Sequence, residues 1–179
     1  MTPTTPAVTI RHVAEEDARA LVGLQLALDR ETSFMLLEPG ERATDEDRTR
    51  GQIQATLARP NQTVLVAQVG EHLVGFLAIT GGVYQRNRHN AYLVMGVLQE
   101  VGGRGLGGAL LSEGIRWAES VGIRRLELTV MAHNERAVRL YERMGFVREG
   151  VRRRALLVDG AWVDEHFMAR LSPLPDHPE

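Results

Sequence analysis

Five glycines lie within seven positions of the sequence, between an apolar run and the first turns of a predicted helix. They are Gly102, Gly103, Gly105, Gly107 and Gly108. A backbone without side chains lets a ligand approach closely, and the N–H groups at a helix N-terminus can bind an anion. These residue types at this spacing predict an anion-binding loop. The alternative is a flexible turn that binds nothing.

The glycine stretch matches neither of the two common phosphate-binding patterns in its full context. A Walker loop requires Lys followed by Ser or Thr after its last glycine, whereas Ala109 and Leu110 follow Gly108. Residues 103–108 do satisfy the dinucleotide pattern G-x-G-x-x-G, with Glu127 about twenty residues further on. However, the segment LQEV separates the strand from the glycines, and Glu127 lies inside its own strand. A nicotinamide-dependent oxidoreductase is therefore the least favoured function.

A second block, residues 134–146, reads NERAVRLYERMGF. Its apolar residues recur at helical spacing, and Gly145 stands where a glycine ends a helix. Taken alone, the block predicts an amphipathic helix with Tyr141 as a core aromatic and Asn134 as its N-cap. One face of this helix holds Ala137, Leu140, Tyr141 and Met144, and another holds Arg136, Arg139 and Arg143.

Together, the two blocks resemble the two acetyl-CoA-binding motifs of the GNAT superfamily of N-acetyltransferases. The first motif, Gln/Arg-x-x-Gly-x-Gly/Ala, falls on residues 102–107, where Gly105 and Gly107 match and Gly102 replaces the expected Gln or Arg. The second motif, Asn-x-x-Ala-x-x-Leu-Tyr-x-x-x-Gly-Phe, is matched at every specified position by residues 134–146. The order of segments is similar over nearly the whole chain.

The resemblance implies an α/β (α+β) fold with a single GNAT-type domain over residues 7–172. Its mixed central sheet has about seven strands, is splayed between the fourth and the fifth, and is flanked by about four helices. Residues 1–6 and 173–179 are expected to be flexible ends. Local signals add a hairpin turn at Gly70-Glu71, a second at Asp159-Gly160, and Thr44 as the cap of the second helix.

The resemblance also implies a mechanism in which the chain binds acetyl-CoA as co-substrate. The pantetheine arm enters the gap between two central strands, and the pyrophosphate meets free N–H groups at a helix start. A substrate amine attacks the thioester directly in a ternary complex, main-chain donors stabilise the oxyanion, and Tyr141 protonates the departing thiolate as general acid. The implied cofactor-binding residues are Met95, Val97, Gly102, Gly103, Arg104, Gly105, Leu106, Gly107, Gly108, Asn134 and Tyr141.

The general base is left open between Glu127 and His133, with ordered water as a third alternative. Ribosomal-protein alanine acetyltransferases of this family carry a Glu five residues before the motif Asn, where this chain has Thr129. Glu127 lies two residues earlier on the same strand face, where pairing with an Arg is the alternative role. Histidine changes charge near neutral pH, so His133 is a candidate base or an ordinary loop histidine.

An acidic stretch, residues 38–47, carries five acids and one Arg in the segment that borders the acceptor site in this family. Glu38 and Glu41 are predicted to contact a cationic acceptor amine. Without a strong base, an α-amine is the easier substrate, because its deprotonation at pH 7 costs about 1 kcal/mol against about 4.6 for a lysine-like amine. The predicted partner is an amine acceptor, either a peptide or protein N-terminus or a small cationic amine.

Composition narrows the remaining classes. The chain has 179 residues, a net charge of −2 and no cysteine, which excludes disulfides, thiolate nucleophiles and zinc sites that need sulfur. No metal, nucleic acid or membrane partner is expected, and the cytoplasm is the expected location. The family resemblance adds a possible homodimer. The alternative function is a non-catalytic acyl-CoA-binding sensor or interaction module, against which the intact Tyr141 counts.

Overall fold

A computed structural model describes residues 7–173 of the chain. Within these residues, seven strands form one mixed sheet in the order β1-β2-β3-β4-β5-β7-β6, flanked by four α-helices. The predicted fold class is confirmed. The predicted flexible ends lie outside the described residues, apart from Pro173. The strands are β1 Val8–His12, β2 Gln62–Val69, β3 His72–Gly81, β4 Asn90–Val97, β5 Arg125–Met131, β6 Val147–Val158 and β7 Ala161–Leu171, and the helices are α1 Ala18–Glu31, α2 Glu46–Leu57, α3 Leu106–Ser120 and α4 Glu135–Arg143.

The sheet is covered on both faces, so its central strands are buried on both sides. On one face, α3 and α4 pack over a core that includes Leu77, Ile79 and Leu128. On the other face, α1 and α2 cover a second core around Leu28 and Phe76. This two-sided burial explains why β3 reads as a nearly continuous apolar run rather than an alternating one.

The central feature of the sheet is the short contact between β4 and β5. The two strands run parallel and pair at three positions only, Asn90 with Arg125, Ala91 with Leu126 and Tyr92 with Glu127. Beyond Tyr92 the strands separate, whereas β4 stays paired with β3 as far as Val97. The splay predicted between the fourth and fifth strands is confirmed, and it leaves a wedge open toward the carboxyl ends of both strands.

The local turn signals are confirmed, and the predicted helix cap is wrong by one residue. Gly70 has a φ of +59° in the β2–β3 turn, and Asp159 and Gly160 have φ values of +49° and +78° between β6 and β7. The cap of α2 is Asp45 rather than Thr44, because the Asp45 carboxylate accepts the N–H of Arg48 at 3.0 Å. The helix begins at Glu46, which places Asp45 directly before its first turn.

The segment between α1 and α2 is anchored by a buried ion pair. The Asp29 carboxylate near the end of α1 accepts two hydrogen bonds from Arg42, at 2.6 Å from Nε and 2.9 Å from Nη2. The side chains of Asp29 and Arg42 are 1% and 17% exposed. A bidentate pair with this little solvent access fixes the segment on α1.

We expect Arg42→Ala to destabilise the fold by about 3 kcal/mol, because it leaves the buried Asp29 carboxylate without its cation. The matched control is Arg50→Ala on α2, which breaks more exposed pairs with Glu46 and Asp47 and is expected to change stability by less than about 1 kcal/mol. Urea unfolding monitored by circular dichroism measures both changes. Equal effects of the two substitutions would contradict the anchoring role.

Candidate active site

The glycine loop presents a run of free backbone donors at the start of α3. The N–H of Gly102 is used, because it donates to the Gln99 carbonyl at 2.9 Å, and the N–H of Ala109 donates to the Gly105 carbonyl at 3.0 Å. Between them, the N–H groups of residues 103–108 have no hydrogen-bond partner within residues 7–173. Six consecutive free donors at a helix N-terminus are an arrangement that can bind an anion, and the anion-binding loop stays a prediction.

Two glycines of this loop adopt a backbone conformation that other residues avoid. Gly103 has a φ of +79°, and Gly105, the N-cap of α3, has a φ of +82°. Gly107 serves a different purpose, since a Cβ placed there would lie 3.1 Å from Cδ2 of Leu140 on α4. The glycines therefore shape the loop and let the start of α3 approach α4.

The wedge between β4 and β5 continues from this loop into the sheet. Its β4 edge has no strand partner on the β5 side from Leu93 to Val97, a stretch that contains the half-buried Met95. At the narrow end, the Tyr92 hydroxyl accepts the N–H of Thr129 at 3.1 Å and shares a 2.7 Å hydrogen bond with its hydroxyl. The Tyr92 side chain thus closes the apex of the wedge.

Tyr141 on α4 lies buried beside this apex. Its ring is 7% exposed and packs edge-on against Phe146, with 5.7 Å between the ring centroids. Within the described part of the chain its hydroxyl has no hydrogen-bond partner. Burial raises the pKa of Tyr141 to about 12, and the nearby Tyr92 phenol contributes in the same direction. The phenol is therefore fully protonated at neutral pH.

The glycine loop, the wedge and the buried tyrosine occur together in a sequence that matches a known family. The model of the acetyltransferase (GNAT) family matches residues 26–146. The chain belongs to this family. Membership confirms the resemblance seen in the sequence, the class of acetyl-CoA-dependent N-acetyltransferase, and acetyl-CoA as co-substrate.

Individual relatives agree with the family assignment. The L-amino acid N-acetyltransferase AaaT of Escherichia coli (strain K12) is 33% identical over 114 residues, which are 63% of this chain and 70% of AaaT. A GNAT-family acetyltransferase from Streptococcus pneumoniae has a TM-score of 0.89 and 31% identity, covering 92% of this chain and 99% of its own. The structure of yncA from Salmonella typhimurium with its cofactor acetyl-CoA shares the fold, with a TM-score of 0.84 and 21% identity over 97% of this chain and 98% of its own.

Two further residues predicted to bind acetyl-CoA in this GNAT-family protein lie at the edge of the wedge and the loop. Asn134 is the N-cap of α4, because its Oδ1 accepts the N–H of Ala137 at 3.2 Å. This bond uses only the oxygen of the amide and leaves its NH₂ group available. Arg104 is exposed in the loop and forms no ion pair with a described residue. Their contacts with the co-substrate stay predictions.

The two candidate bases have different surroundings. Glu127 accepts a 2.8 Å hydrogen bond from Arg125 Nε, so the pairing that the sequence offered as its alternative role is the one present. Arg125 is also bound to Glu149, at 2.9 Å between Nη1 and Oε1. His133 follows the end of β5, is exposed, and packs against Phe34 with 5.3 Å between the ring centroids.

The two acidic residues predicted to meet the acceptor also differ. Glu38 is exposed and lines a cavity of about 210 Å³ between the α1–α2 segment and the β6–β7 turn. Asp159 from that turn and Met131 from β5 line the same cavity. Glu41 instead closes a turn, since its carboxylate accepts the N–H of Glu38 at 2.8 Å. Glu38 is therefore the better placed of the two for an acceptor.

The structure adds residues that the sequence did not single out for a role in the site. Tyr92 closes the wedge, yet in the sequence it is one aromatic residue within an apolar strand. Arg136 lies against Gly102, although the sequence separates the two by more than thirty residues. The sequence signal that could have pointed to Arg136 is its position inside the second motif, two residues after Asn134.

Two observations on the described part of the chain concern metal ions and membranes. No group of three or more His, Cys, Asp or Glu side chains within residues 7–173 is arranged to hold a metal ion. None of the helices in that range is long and apolar enough to span a membrane. The cytoplasmic location, the absence of a nucleic-acid partner and the homodimer stay predictions.

We expect Gly105→Ala to raise the dissociation constant of coenzyme A about tenfold, because a side chain at this φ disfavours the loop that presents the N–H donors. Gly122→Ala is the matched control. Gly122 has a φ of +84° and equally open surroundings, but it lies beyond the other end of α3. Calorimetric titration with coenzyme A measures both variants. A similar loss in the control would show that strain alone, rather than loop geometry, weakens binding.

Proposed function

We propose that this acetyltransferase moves the acetyl group of acetyl-CoA directly to a primary amine in a ternary complex, with Tyr141 as general acid. The observation that carries the proposal is the state of Tyr141. The phenol is buried, protonated and without a hydrogen-bond partner in the described residues, and it lies beside the apex of the wedge. A proton donor held in this way is available to a leaving group that arrives in the wedge.

Direct transfer is supported by the side chains available to accept an acetyl group. The chain has no cysteine, so no thiolate can form an acetyl-enzyme. The free donors of residues 103–108 support the binding of the phosphates of acetyl-CoA at the glycine loop. The cavity beside Glu38 is lined by residues outside the glycine loop and β4. Separate places for donor and acceptor support a ternary complex.

The acceptor that we propose is an α-amine or a small cationic amine. Glu38 and Asp159 give the cavity negative charge, which attracts an ammonium group. The Glu127 carboxylate is engaged by Arg125, so the site has no free strong base on that strand. An α-amine needs less help to lose its proton than a lysine side chain. The name of the relative AaaT describes an enzyme that acetylates L-amino acids, which fits this class.

The general base that we propose is either His133 or Glu127. His133 forms no ion pair within the described residues, and it lies beside the α1–α2 segment that lines the acceptor cavity. Glu127 would have to leave Arg125 before it could accept a proton. These surroundings favour His133 over Glu127 as the base. Because Glu127 is engaged by Arg125, they also favour acceptors that reach the site already deprotonated.

We expect thiol release from acetyl-CoA in a panel of amines to be faster with amino acids and α-amino peptides than with lysine ε-amines or polyamines at pH 7. Absence of thiol release with every amine would contradict the proposed function.

Glu38→Gln is expected to raise the acceptor KM about threefold, the contribution of one exposed ion pair. Glu41→Gln, in the same segment and with the same loss of charge, is the control and should change KM little.

We expect Tyr141→Phe to lower kcat about a hundredfold at saturating acetyl-CoA while leaving the fold intact, because the phenylalanine ring keeps the contact with Phe146. Tyr84→Phe, at an exposed tyrosine, is the control.

The raised pKa of Tyr141 also predicts how wild-type kcat depends on pH. The proton is held below pH 10 and is lost only as pH rises toward about 12, so wild-type kcat should not fall between pH 7 and 10. A decline in that range would contradict the assignment of Tyr141.

A further inference from the structure

The residue in the first position of the glycine motif is the one departure from the family pattern. Gly102 has φ −65° and ψ 157°, values that any residue adopts, so its dihedral angles do not require glycine. A Cβ built at Gly102 would lie 2.9 Å from the Gln99 carbonyl oxygen and 3.0 Å from Nη2 of Arg136. The space that a motif side chain would enter is therefore occupied by a guanidinium group from α4.

Arg136 has no competing partner for its charge. Arg139, on the same helix, pairs with Glu135 at 2.9 Å, whereas Arg136 forms no ion pair or hydrogen bond with any residue in the range 7–173. The guanidinium stands instead against the residue that precedes the run of free N–H donors. An exposed cation next to six backbone donors completes a site for a multiply charged anion.

We propose that Arg136 takes over the role of the side chain missing at Gly102 and binds the pyrophosphate of acetyl-CoA. This inference rests on the proposed function, in which the loop receives the phosphates. A guanidinium group suits the role because it offers two parallel donors to a phosphate and stays charged at any pH in use. The cation thus reaches the phosphates from α4 instead of from the loop itself.

The test compares Arg136→Ala with the wild-type protein in calorimetric titrations of three probes. Coenzyme A carries both the pyrophosphate and a 3′-phosphate, dephospho-coenzyme A keeps only the pyrophosphate, and pantetheine has neither. The dissociation constants of coenzyme A and dephospho-coenzyme A are expected to rise about tenfold, the effect of one lost charge-assisted hydrogen bond. The dissociation constant of pantetheine should not change.

The control is Arg143→Ala, which removes an equal charge from an exposed position seven residues along α4, about 10 Å from Arg136 along the helix axis. Alanine favours helix, so both variants should keep the wild-type melting temperature. An equal loss in the control would indicate a general effect of charge and would overturn the proposal.

Each remaining outcome also decides the question. A weakening limited to coenzyme A would assign Arg136 to the 3′-phosphate and overturn the pyrophosphate assignment. A weakening that includes pantetheine would indicate a structural role and would overturn it as well. If the wild-type protein binds coenzyme A and Arg136→Ala binds it equally well, only this inference fails. If the wild-type protein binds none of the probes, the proposed function fails with it.

Discussion

The early end of the β4–β5 ladder is the constraint on which the site depends. After Tyr92 and Glu127 the two strands expose backbone groups that neither strand can satisfy. A buried polar group without a partner costs about 1–3 kcal/mol, so such an edge needs water or another group to supply its hydrogen bonds. The Tyr92 hydroxyl supplies one of them by accepting the N–H of Thr129. The β4 edge from Leu93 to Val97 has no strand partner on the β5 side, and the pantetheine arm of acetyl-CoA, which carries amide groups, is predicted to bind there.

A single short helix connects this edge to the glycine loop. Arg136 lies over Gly102, Leu140 packs against the start of α3 at Gly107, and Tyr141 lies beside the wedge. These α4 residues are spaced at i, i+4 and i+5 on a helix of nine residues, so Leu140 lies between Arg136 and Tyr141 around the helix axis. Leu140 and Tyr141 are specified positions of the second motif, whereas Arg136 is not. A shift of one residue would rotate the helix by about 100° and remove all three contacts together.

The sequence was sufficient for features that depend on local chemistry or on a long motif. It predicted the splayed sheet, the glycine loop, the Asp159-Gly160 turn and Gly145 as the glycine that terminates a helix, since turn and cap residues act over a few positions. It misplaced the cap of α2, because Thr44 and Asp45 are both good caps and only the start of the helix distinguishes them. It did not separate Glu38 from Glu41, because their roles depend on the fold of one turn. It missed Arg136 at Gly102 and the Asp29 pair with Arg42, since each contact joins residues that only the tertiary fold brings together.

The high pKa of Tyr141 places a condition on the role of general acid that we propose for it. A phenol with a pKa of about 12 would transfer its proton to a thiolate of pKa about 8.5 in water at a cost of about 5 kcal/mol. The wedge changes this comparison, because its walls include Met95 and Val97 and because burial disfavours a thiolate as it disfavours a phenolate. A leaving group in the wedge therefore becomes a stronger base for the same reason that Tyr141 is a weak acid. A raised thiolate pKa makes the proposed proton transfer less costly than in water, and Tyr141 stays protonated before each turnover.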